Sequence, residues 1–110
     1  MAITTLKLEG RLDSATAQKI EAGFAEKAGA VTEKHDKAII DLQDLVYISS
    51  LGIRMLVQAI KQFQKRGVEF VTVKPRDNNA NELLVTVSLS DHLNMVENAE
   101  AALARVRNIW

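Results

Sequence analysis

Cysteine is absent from this 110-residue chain, and proline and tryptophan occur once each. Without thiols there is no disulfide framework, no thiolate nucleophile and no cysteine-rich zinc site, so the fold must rest on packing, and a reducing compartment is the natural setting. An excess of charge is lacking too, because 14 basic and 14 acidic residues balance to a formal net charge of 0. That removes the broad positive field on which nonspecific nucleic-acid or anionic-membrane binding depends. No apolar run approaches the roughly 18 residues of a membrane span, and the opening segment MAITTLKLEGR has neither the basic start nor the apolar stretch of a secretion signal. The expectation is a cytoplasmic protein with no nucleic-acid partner and no direct membrane insertion. His35 and His92 stand alone, outside any metal-ligand spacing, and are expected at the surface, with no metal and no cofactor. No Gly-x-Ser-x-Gly elbow is present, so a serine hydrolase is dismissed and no enzyme is expected.

What the chain does have is a core. At 47% hydrophobic residues it can bury enough for one domain, expected to span 1–110. Ile3 to Glu9 alternates apolar and polar and predicts a half-buried strand that Gly10 breaks. Ser14 or Asp13 then caps a helix over about 14–28, whose apolar positions Ala17, Ile20, Phe24 and Ala28 recur at spacings of three and four, and Gly29 is expected to stop it. Residues 38–42 form a short apolar run, the pattern of a central parallel strand buried on both faces. The clearest helix is predicted over about 50–65, with Ile53, Leu56, Val57, Ile60 and Phe63 on its core face and Gly67 at its end. A strand over 68–73 stops before Pro75, and a short helix from Asn78 or Asn79 to about Val87 is preferred over a strand. A strand over 93–96 and a terminal helix carrying Ala99, Ala102, Leu103 and Val106 complete a β-α-β-α-β-α-β-α order. Such alternation implies right-handed crossovers and a largely parallel sheet covered by helices. Trp110, the last residue, folds back on that helix or sits in an interface.

The segment that carries chemistry is the junction ahead of the 50–65 helix, where Ser49 and Ser50 place two hydroxyls. A helix N-terminus presents unpaired N–H groups and roughly half a positive charge, so it accepts an anion. Phosphorylation there would add about 1.5–2 negative charges. Serine is also a preferred N-cap, which is the plainer role for the pair. Gly52 costs roughly 1 kcal/mol relative to alanine in a helical turn, which asks for a reason: close approach of a partner, or packing against the preceding strand. Arg11 and Arg54 flank the junction and could steady a phosphate or meet an acidic partner. Tyr47 reads as packing.

The blocks Leu8-Glu9-Gly10-Arg11-Leu12-Asp13-Ser14-Ala15-Thr16-Ala17, Ile40-Asp41-Leu42 and Val46-Tyr47-Ile48-Ser49-Ser50-Leu51-Gly52-Ile53-Arg54-Met55-Leu56 resemble the signature blocks of the STAS domain, and more narrowly of bacterial anti-sigma factor antagonists. The resemblance runs from about residue 3 to about 107. It implies an α/β fold, a mixed, largely parallel sheet of four to five strands with about four helices packed mainly on one side. It also implies a protein that binds an anti-sigma factor serine kinase when unphosphorylated and leaves it when phosphorylated, a metal-dependent serine phosphatase restoring the hydroxyl. Carried over by position, Ser49 matches the phosphoacceptor, with Ser50 the less favoured neighbour, and Asp13 matches an acidic residue in the adjoining loop. Arg11, Asp13, Ser50, Leu51, Gly52 and Arg54 are the expected partner-binding residues. The chain departs from the pattern in three places. Many members have an aspartate immediately before the phosphoserine, where this chain has Ile48, and a glycine or alanine is common where Leu51 stands. The N-terminal hairpin strand of many members is not seen, so a four-strand sheet with an altered edge is expected. The competing expectation keeps the fold without the switch, as a scaffold subunit of a transporter or signalling complex. A nucleotide or other small-anion sensor at the helix N-terminus is the third.

Overall fold

The computed structural model describes residues 3–31, 37–86 and 95–108. The elements are β1 Ile3–Lys7, β2 Gly10–Leu12, α1 Ser14–Ala30, β3 Lys37–Asp41, β4 Leu45–Ile48, α2 Ser50–Arg66, β5 Glu69–Val73, α3 Asn78–Thr86, β6 Met95–Val96 and α4 Ala99–Asn108. Four strands form one sheet in the order β1-β3-β5-β6, and every recorded pair in it is parallel. The expected α/β architecture with four helices is therefore present. His35, His92, Leu93, Asn94 and Trp110, for which expectations were stated, lie outside the described residues.

Alternation along the strands divides the interior into two layers. On one face Leu6, Ala38, Ile40 and Phe70 join α1, α2 and α3 through Phe24, Ala28, Leu56, Phe63 and Leu84. On the other, Ile39, Val71 and Val73 pack against Ala102 of α4. Helices thus cover mainly one side, three against one. The Phe63 and Phe70 rings meet at 5.7 Å between centroids, tilted by 40°, and lock α2 onto β5.

Four readings are corrected. Gly10 does not simply end a strand: with φ 68 it turns the chain from β1 into β2. Likewise residues 45–48, to which the sequence reading assigned no element, form β4, and β2 and β4 pair in parallel as a separate two-stranded sheet. The break is nearly seamless, because Leu8 N–H donates to Asp41 C=O at 3.0 Å and Gly10 N–H to Asp44 C=O at 2.9 Å. The β1–β3 partnership therefore resumes one step further on as β2–β4. Gly29 does not stop α1, which runs to Ala30. The core face of α2 is turned relative to the sequence reading: Met55, Leu56, Ala59, Ile60 and Phe63 are buried, whereas Ile53 and Val57 lie half-buried at its margin.

An ion cluster holds the loops at the C-terminal ends of these strands. Asp44 accepts from Arg76 Nη2 and lies 3.2 Å from Lys7 Nζ, which also reaches Glu9 at 3.7 Å. The Arg76 and Lys7 hydrogen bonds hold the Asp44 carboxyl below its ordinary range. Among the described residues two buried side-chain atoms lack a hydrogen-bond partner, Gln62 Oε1 and the Oγ1 of Thr72 on β5, and Thr72 is fully buried. Burying an unpaired hydroxyl costs roughly 1–3 kcal/mol. Thr72→Val is therefore expected to raise stability by about 1 kcal/mol, read as a higher urea midpoint at unchanged slope. A lower midpoint would contradict the assignment.

Candidate functional site

The site is built where β2 and β4 end side by side. Both strands run directly into a helix, so two N-caps, Asp13 of α1 and Ser49 of α2, follow the ends of paired strands. Ser49 N–H donates to Leu12 C=O at 2.8 Å, which joins the two helix starts. Ser49 Oγ then accepts from Gly52 N–H at 3.3 Å, and its carbonyl accepts from Ile53 N–H at 2.9 Å. Asp13 does the same for α1: its Oδ1 accepts from Thr16 N–H at 2.9 Å and its carbonyl from Ala17 N–H at 2.8 Å. The Thr16 hydrogen bonds, aided by the Arg11 and Lys19 charges, hold the Asp13 carboxyl below the usual carboxylate range.

The residues singled out in the sequence separate into buried and accessible sets. Ser49 is only 7% exposed, with its hydroxyl turned into the helix start. Ser50, one residue on in the first turn of α2, is exposed. Gly52 is buried as well. A Cβ there would come within 2.8 Å of Ile48 Cγ1 and 2.9 Å of Leu12 Cδ2, and both side chains are themselves buried. Of the two reasons offered for this glycine, packing against the strand ends is the one the structure shows. Leu51 is half-buried against the core, so its bulk points partly inward. Arg54 is exposed one turn beyond Ser50.

Two features escaped the sequence reading. Arg11 on β2 stands opposite Tyr47 on β4, and its guanidinium lies 4.4 Å from the ring centroid. Val46, beside it, is 45% exposed, a large apolar side chain left at the surface. Tyr47 thus joins Arg11 at the surface next to the helix starts. Only the β2–β4 pairing reveals this, since the two residues are distant in sequence.

Among the described residues no group of three or more His, Asp or Glu side chains could hold a metal ion, and no helix is long and apolar enough to cross a membrane. What the site offers is two adjoining helix N-termini, one already capped by the Asp13 carboxylate, exposed hydroxyls on Ser14 and Ser50, and two arginines.

The STAS domain family matches residues 2–102. A Bordetella bronchiseptica protein, BtrV, assigned as an anti-sigma factor antagonist, is 33% identical over 97 residues, covering 86% of this chain and 81% of its own. The anti-sigma factor antagonist SpoIIAA of Bacillus superposes in its unphosphorylated form with a TM-score of 0.75 at 19% identity, covering 100% of this chain and 93% of that one. Its phosphorylated form gives 0.66 at 20% identity over 94% and 91%. A sulfate transporter family protein from Wolinella succinogenes gives 0.74 at 14% identity over 96% and 84%. The chain belongs to the STAS domain family.

Two outcomes follow from the geometry. Gly52→Ala is expected to destabilise the protein by about 1–3 kcal/mol through overpacking, and Ser49→Ala by roughly 0.5–2 kcal/mol through loss of the cap, both measured by urea denaturation. Asp13 has a folded pKa below its ordinary 3.8, so its contribution is present above that value and is lost as pH falls through the depressed folded value. Asp13→Asn should therefore flatten the loss of stability below about pH 4 in an acid titration, whereas a parallel curve would exclude the carboxylate as the source.

Proposed function

We propose that this protein is an anti-sigma factor antagonist working by partner switching, and that the modified hydroxyl is that of Ser50. In its unmodified form it docks the β2–α1 turn and the start of α2 on an anti-sigma factor serine kinase. Phosphorylation by that kinase ends the contact, and a metal-dependent serine phosphatase restores it. The protein is the substrate and not the catalyst, acts in the cytoplasm, and needs neither nucleic acid nor membrane.

The observation that carries this reading is the contrast between the two serines. A kinase must bring the γ-phosphate within bonding distance of the acceptor oxygen. Ser50 is exposed, whereas Ser49 is 7% exposed and its Oγ is committed to Gly52 N–H. Capping chemistry supports the same order. Aspartate and serine are near-equivalent N-caps, so the cap Ser49 stands where other members carry the aspartate that precedes their phosphoserine. Ser50 then falls in the acceptor position, and Ile48 ceases to be a departure. This reverses the order given to the two serines by sequence alone.

Two groups make a phosphate on Ser50 electrostatically acceptable: the first-turn amides of α2 and Arg54, four residues on along the same helix face. The added charge would change a surface that includes Arg11, Tyr47 and Val46. The Bordetella relative supports the class of partner, and the likeness to a sulfate transporter family protein keeps the scaffold role as the second reading.

The test incubates the protein with its cognate kinase and ATP and maps phosphate by mass spectrometry. Ser50→Ala is expected to abolish incorporation and Ser49→Ala to retain it, while Ser50→Asp should weaken kinase binding at least about tenfold. Retained labelling in Ser50→Ala would overturn the assignment. Absence of phosphate, together with stable co-purification with a transporter, would favour the scaffold.

A further inference from the structure

On the side of α1 away from α2, the edge of the main sheet is open: β1 pairs with β3 on one side and with no other described strand. Beside that edge runs a groove whose floor is Leu6 and Leu8 from the β1 end and Ile20 and Phe24 from α1. Its charged lining residues are Lys7, Lys19 and Lys27, with no carboxylate among them. Lys7 is engaged with Asp44 and Glu9. Among the described residues Lys19 and Lys27 form no ion pair.

Between those two lysines, on the same line of the helix, is Gly23. Gly23 is exposed in the middle of α1, where glycine is unfavourable, whereas the buried Gly52 at the start of α2 has an internal reason in the contacts a Cβ would make with Ile48 and Leu12. Gly23 has none, because a Cβ there would meet nothing within 4 Å. The bare stretch of backbone therefore faces the groove and not the core.

We propose that this groove receives an extended, acidic segment of a partner protein, which adds to the outer edge of β1 as a further strand and lays its side chains across α1. The dimensions agree. Lys19 and Lys27 are separated by about 12 Å along the helix at 1.5 Å per residue. In a strand, residues four apart share a face and lie about 13 Å apart. Carboxylates at two such positions reach the two lysines, and the residue midway between them sits over Gly23, where the missing side chain leaves room. Main-chain bonds to the β1 edge supply affinity, and the lysine spacing supplies selectivity. This site is separate from Ser50 and needs no phosphorylation.

The full-length unphosphorylated protein is titrated with a blocked probe peptide, Thr-Glu-Thr-Val-Thr-Glu-Thr, and with its counterpart bearing lysine at both glutamate positions. Binding of the acidic peptide alone is expected, with slowed hydrogen exchange at the outward-facing amides of Thr5 and Lys7, which alternate with those turned to β3. The double variant Lys19→Glu with Lys27→Glu, and separately Gly23→Gln, should each weaken binding at least about tenfold. Gly23→Gln is expected to keep a melting temperature no lower than wild type, which separates a blocked groove from a damaged fold. Equal binding of the two peptides, unchanged affinity in either variant, or no binding at about 1 mM peptide would overturn the proposal. So would a dimer in sedimentation that Gly23→Gln dissociates, since the occupant would then be a second copy of the chain. No kinase enters this experiment, so its failure leaves the assignment of Ser50 untouched.

Discussion

The hydrogen bond from Ser49 N–H to the Leu12 carbonyl, 2.8 Å long, is the constraint on which the functional end of the molecule depends. β2 and β4 are three and four residues long, too short to hold one another in water without further support. The Leu12–Ser49 bond closes their far end, and the Gly10–Asp44 bond closes the near one. Gly52 then lets the first turn of α2 settle over Leu12 and Ile48, where any side chain would collide. From that contact come the placement of two helix N-termini at one edge, the burial of one serine and the exposure of the next.

Much of the frame could be read from the sequence because its signals are local. The apolar run Ala38-Ile39-Ile40 announces a strand buried on both faces, and the structure divides it between the two interior layers. The spacing of apolar residues along α2 and the glycine at its end, Gly67 with φ 72, marked that helix to within a residue. What escaped depends on partners far away in the chain. Gly10-Arg11-Leu12 is too short to declare a strand, the apolar run Leu45-Val46-Tyr47-Ile48 does not name its partner, and the stacking of Arg11 on Tyr47 exists only because the two pair. The proposed choice of Ser50 over Ser49 rests on a related distinction. Two identical residues at a helix start differ only in which is the cap, and that is settled by whether the backbone of Leu12 reaches the N–H of one or the other.

This division of labour between the serines suits a reversible modification. The cap is held by Ser49, buried and bonded to Gly52, so a charge added at Ser50 leaves the first turn of α2 intact. Modification of the cap itself would break the Ser49–Gly52 bond and force a charged group out of a buried position. A neutral domain with 14 charges of each sign presents no strong background field. About two added negative charges at one helix end then dominate the local potential without disturbing the packing beneath.

The helix α1 links two regions that need not interfere. Its first residue follows the Asp13 cap at the edge carrying Ser50, and its Lys19–Gly23–Lys27 line runs beside β1. Between them the helix is packed through Ala17, Phe24 and Ala28, all buried in the core it shares with the sheet and α2. Coupling between sites requires an element whose two states each ligand prefers differently, and a single well-packed helix supplies none. Under the two proposals, a partner on the β1 edge and a partner at the α2 start would be held together, and phosphorylation would release one contact and not both.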